Sequence, residues 1–163
     1  MSLPHFVFAS LVAAFTFAST AHAASQPMPA HEHGAQHSLQ PELNAGKKWQ
    51  TDSALRRGMA AIHLQLAAAT PALHQGELPA AEAQKLAAAI ETQVADIVAN
   101  CKLDAKADAQ LHIVIAQLLS GSEQLAGTQP DSSPHQGVMT MLAALDSYIR
   151  YFDDPELSHA LQH

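Results

Sequence analysis

An all-α domain is the fold this chain predicts, and three observations carry that reading. Aromatic residues are only 5% of the 163 while alanine is abundant, and strands prefer β-branched and aromatic side chains whereas alanine suits closely packed helices. From Thr51 to Pro155 apolar residues recur at the three- and four-residue spacing of a helical face, in successive segments. The stretches between those segments are short and hold the Pro, Gly, Ser and Asp residues that stop and start helices. Four such segments of roughly 15–20 residues predict an antiparallel up-down-up-down four-helix bundle.

In the first helix Thr51 or Asp52 can cap the opening amides, and Leu55, Met59, Ile62 and Leu66 share one face. Thr70-Pro71 predicts its end, because proline has no N–H for the helical ladder. The second helix begins at Pro79, tolerated in a first turn, and carries Leu86, Ile90, Val94 and Ile97 up to a carboxy-terminal cap at Asn100. Asp104 caps the third, whose stripe of Leu111, Val114, Ile115 and Leu118 is predicted to break at Gly121. Ser133 and Pro134 open the fourth, with Val138, Met141, Leu142, Leu145, Ile149 and Phe152 inward and Pro155 ending the regular structure. The topology would gather Trp49, Cys101, Leu103, Tyr151 and Phe152 at one pole.

Upstream of the bundle, "FVFASLVAAFTFA" is too short to span a bilayer comfortably, and Ala21-His22-Ala23 has the small-x-small pattern of a signal-peptidase site. The domain plan is a signal peptide over residues 1–23 and a flexible, disordered amino-terminal tail over 24–48. The bundle follows over 49–155, with a carboxy-terminal tail over 156–163. This plan predicts an exported chain of the periplasm with no membrane span. The net charge of −7 argues against nucleic acid or an anionic membrane surface as partner, since both are captured by clustered Lys and Arg. A single cysteine, Cys101, has no disulfide partner in the chain.

The phrases "LNAGKKWQTD", "LRRGM", "NCKLDAKADAQLH" and "YFDDP" resemble a family of small secreted proteobacterial proteins loosely labelled DnrO-type. The resemblance covers roughly Leu43 to Pro155. It implies a periplasmic helical bundle, often preceded by a histidine-bearing segment, and no particular catalytic residues. Family members finish this stretch in "YFDHPG" where this chain has Asp153-Asp154-Pro155-Glu156, so no histidine ligand is carried over to position 154.

Two sets of residues are candidates for metal chemistry. The tail stretch "MPAHEHGAQH" offers Met28, His31, His33 and His37 with Glu32; imidazole suits Cu(II), Ni(II) and Zn(II), and thioether suits Cu(I). A mobile segment must lose backbone entropy to wrap an ion, so a tight selective site is not expected from the tail alone. Inside the bundle, Met59 and His63 lie one turn apart, His112 lies on the third helix and Cys101 at the end of the second. Both histidines fall about 80–100° from the centres of their apolar stripes, where imidazole reaches solvent without a metal. Covalent haem is excluded by the missing C-x-x-C-H, and no Ser-His-Asp order, P-loop or zinc framework stands out.

The expected function is therefore non-enzymatic binding, with metal handling, copper foremost, in the lead. The alternative is an envelope accessory or stress-interaction protein that uses a helix face without metal. Leu64 and Ile113 point away from their stripes and leave a weak homodimer open.

Overall fold

All but one of the described helices start where a side-chain oxygen accepts one of the first unpaired amides. The computed structural model describes residues 40–76 and 78–161. It contains α1 (Ser53–His74), α2 (Ala80–Asn100), α3 (Ala105–Ala126), α4 (Pro134–Tyr151) and a short α5 (Pro155–Ala160). The fold is all-α. Asp52 accepts from the Leu55 amide, Asp104 from Lys106 and Ala107, and Ser133 from Gln136, so all three predicted amino-terminal caps are in place, whereas the carboxy-terminal cap of α2 is Cys101, one residue beyond the predicted Asn100, whose backbone is still helical. Pro79 stands just outside α2 as its amino-terminal cap residue, one position earlier than expected.

The predicted stripes form the core. Leu55, Met59, Ile62 and Leu66 of α1, Ile90, Val94 and Ile97 of α2, Leu111, Val114, Ile115 and Leu118 of α3, and Val138, Met141 and Leu145 of α4 are buried. Leu86, Leu142 and Ile149 pack against that core while keeping part of their surface in solvent. Each large aliphatic side chain so placed contributes about 1.5–3 kcal/mol relative to exposure. Consecutive long helices pack together, and α1 also packs on α4.

Four boundaries differ from the sequence reading, each for a physical reason. α1 runs through Pro71 to His74 because Leu73, beyond the proline, is buried; its burial outweighs one missing ladder bond. α3 does not break at Gly121 but continues to Ala126, and Gly127, at φ 72°, supplies the left-handed residue that ends it. Pro155 opens α5 instead of closing the fold: Asp154 caps it and Leu157 is buried. Residues 40–48 are a strap and not free tail. Pro41 is buried, the Glu42 amide donates to Gln110 Oε1 at 2.7 Å, and Ala45-Gly46 makes a tight turn closed by reciprocal bonds between Asn44 and Lys47.

Gly121 and Gly137 are where α3 and α4 meet. A Cβ on Gly137 would collide with the Leu125 amide nitrogen and lie 2.6 Å from the Gly121 carbonyl oxygen and 2.8 Å from Leu125 Cα. All of these are backbone atoms. At Gly58 of α1, by contrast, an added Cβ meets the end of the Ile97 side chain. Gly137→Ala is therefore expected to force α3 and α4 apart at the overpacking cost of about 1–3 kcal/mol, seen as a lowered midpoint in thermal unfolding. Gly58→Ala should lower it less, since Ile97 can change rotamer and alanine adds helix propensity. A neutral Gly137→Ala would mean that the two backbones do not touch.

Candidate functional site

The pole where α1 begins and α4 ends concentrates the polar chemistry of the described residues. Trp49 pairs with the chain beyond α4 as a short parallel bridge: its N–H donates to the Tyr151 carbonyl and its carbonyl accepts from the Asp153 amide, both at 2.8 Å. The indole N–H donates to the Glu42 carbonyl at 2.6 Å, which anchors the strap. Thr51 Oγ1 donates to the Asp153 carbonyl at 2.6 Å, and Arg56 is turned back onto Thr51 at 3.0 Å.

Asp52 links three elements through one carboxylate. Oδ1 accepts from Leu55 at 2.8 Å and Oδ2 from the Lys102 amide at 2.6 Å, so the start of α1 is tied to the α2–α3 turn. Burial pushes its pKa up, but the amides of Leu55, Lys102 and Ala54 and the charge of Arg56 together hold it below the ordinary aspartate value. Nearby, Tyr148 is fully buried and donates to Asp154 Oδ2 at 3.0 Å, while Asp154 Oδ1 accepts from the Leu157 amide at 3.1 Å. Burial, then the Asp154 charge, drives the phenol far above the ordinary tyrosine range. Its ring stacks on Phe152 with centroids 5.3 Å apart.

Cys101 ends α2, is half-buried, and packs against the core with Leu103 and Tyr151. Burial raises its thiol pKa, and the carboxylates of Asp52 and Asp108 raise it further. Both shifts favour the neutral forms of thiol and phenol.

The bundle candidates for metal binding are not gathered into one site. Met59 is buried in the core, His63 is half-buried on the flank of α1, and Cys101 is at the pole. His112 is exposed, its Nδ1 2.9 Å from the Asp108 carbonyl oxygen and 3.5 Å from Asp108 Oδ2. Among the described residues no group of three or more His, Cys, Asp or Glu side chains could hold an ion. Met28, His31, His33 and His37, like the signal segment, lie outside the described residues. No helix among the described residues is long and apolar enough to cross a membrane.

Sequence reasoning missed Tyr148 and Asp154. Tyr148 sits three residues after Leu145 and seven after Met141 on the same stripe, and Asp154-Pro155 is the cap-then-proline signature of a helix start. A further surface feature is the groove of about 510 Å³ between α1 and α2, lined by Ala68, Ala69 and Ala72 of α1 and by Glu82, Lys85 and Leu86 of α2 among others. Leu64, one turn before Ala68, is 67% exposed.

Two measurements check this pole. Because the folded-state pKa of Asp52 is lowered, its contribution to stability is full above the unfolded value of about 3.8 and is lost as pH falls through the folded value. Asp52→Asn should therefore destabilise the protein at neutral pH and flatten the loss of stability below that point in acid titrations of the unfolding midpoint. For Cys101, alkylation at pH 7.5 should be slow in the native protein and fast after denaturation; equal rates would show the thiol to be open.

Comparison with protein-family models, with curated proteins and with solved structures finds no match to this chain.

Proposed function

We propose that the chain is an exported, non-enzymatic binding protein of the periplasm whose work is metal handling, with copper the first ion to test. In this reading residues 1–23 direct export and are removed, and the four long helices form an antiparallel up-down-up-down bundle. The pairings support that bundle: Gly58 early in α1 meets Ile97 late in α2, Ser122 late in α3 bonds Ala87 and Glu91 in α2, and Gly121 late in α3 meets Gly137 early in α4.

The observation that carries the metal reading is one of ligand density. Three histidines and a methionine fall within the ten residues of "MPAHEHGAQH", ahead of a body whose own candidate ligands point to separate places. One observation favours the second reading, an accessory protein that presents a helix face to a partner or a second copy. From Gly58 to Gly76 α1 and its turn carry no Lys, Arg, Asp or Glu, and solvent-facing helices usually do; Leu64 and the α1 wall of the groove lie on that length, facing Glu82 and Lys85 of α2.

The test separates binding from folding. Imidazole binds metal in its neutral form and ordinarily titrates near pH 6.5, so copper held by the tail should be bound at about pH 7.5 and released near pH 5. Replacing His31, His33 and His37 together with alanine should abolish that acid-reversible Cu(II) binding and leave helix content and the unfolding midpoint of the metal-free protein unchanged. Unaltered binding by the triple variant, read by titration of protein purified without an affinity tag, would remove the tail as the site.

A further inference from the structure

We propose a second metal site, for Cu(I), at the opening of α4, made by His135 and Met139. It shares with the copper reading above only the choice of ion, and uses different residues.

The two residues are four apart on one helix, so their side chains stand one turn apart on one face. Pairs of imidazoles at this spacing close on a single ion. Both residues are exposed, Met139 by 51%, and among the described residues neither ring nitrogen of His135 takes part in a hydrogen bond or ion pair. The described helices contain one other methionine–histidine pair at this spacing, Met59 and His63, and there the thioether is sealed in the core. His112 is already engaged with Asp108. Met141, two residues after Met139, is explained by packing: it fills the space over Gly121. No such packing accounts for Met139.

The donor set selects the ion. A neutral imidazole and a neutral thioether offer no compensating charge, and thioether is a soft ligand, which together favour Cu(I) over Zn(II) or Cu(II).

The experiment is an anaerobic Cu(I) titration against a chromophoric competitor chelator. It uses the mature full-length chain carrying His31→Ala, His33→Ala, His37→Ala and Cys101→Ser, so that neither the tail imidazoles nor the thiol can hold the ion. This background is expected to retain one equivalent of Cu(I). His135→Ala and Met139→Leu should each weaken that binding at least tenfold, with helix content and unfolding midpoint unchanged, and Met139→Leu should leave Zn(II) binding where it was. A background that binds no Cu(I), or variants that bind it as tightly as the background, would overturn the α4 site. Either result leaves the tail reading standing or falling on its own Cu(II) titration.

Discussion

The approach of α3 to α4 at Gly121 and Gly137 is the constraint on which the rest of the bundle depends. With no Cβ on either residue the two backbones touch, the Gly137 position lying against Leu125 and Gly121. Glycine inside a helix costs about 1 kcal/mol relative to alanine, and the contact offsets that by sinking Met141 over Gly121 and burying Leu118, Leu125 and Val138 between the helices. The next residue, Ser122, fixes α2 in turn. Its hydroxyl is buried and lies 2.8 Å from Glu91 Oε1 and 3.2 Å from the Ala87 carbonyl oxygen. A slip of α2 along α3 would leave that hydroxyl without a partner at a cost of about 1–3 kcal/mol. Close approach sets the distance, and one polar bond sets the register.

The opposite pole is organised by carboxylates that serve as structural acceptors. Asp52 takes amides from α1 and from the α2–α3 turn, and Asp154 takes the Tyr148 hydroxyl and the Leu157 amide of α5. Negative charge at helix amino termini is stabilised by the unpaired N–H groups and the helix dipole, which is how Asp154 is buried without a cation bonded to it among the described residues. The same arrangement governs reactivity. Burial, and after it the acids around Cys101 and Tyr148, favours the protonated thiol and phenol.

The stripes and three caps were legible because they depend on short-range rules: a spacing of three and four residues, and an oxygen before the first turn. What was not legible depended on partners far along the chain. Pro71 and Gly121 read as helix ends by local rule, and both are overruled by tertiary contact, Leu73 burying beyond the first and Met141 settling on the second. Pro155 was read as a stop when the aspartate before it makes it a start. The strap over residues 40–48 has no periodicity to find; it is ordered by the Trp49 indole reaching Glu42 and by Gln110 reaching the Glu42 amide. For the candidate ligands, helical-wheel angles placed His112 outward as it stands, but they gave no means of knowing that Asp108 would occupy it.

A core closed in this way leaves metal chemistry to groups that packing does not use, and the two places where such groups lie differ in what they can do. Where ligands close in sequence have to be ordered on binding, each residue fixed costs about 1–2 kcal/mol, and such a set favours capture over selectivity. His135 and Met139 are already held at a fixed separation by α4, so little further ordering is needed, and the mixed nitrogen and sulfur pair discriminates by softness. On the proposed reading, copper held by His135 and Met139 would sit on the exposed face of α4 and leave Leu145, Met141 and the glycine contact beneath them undisturbed.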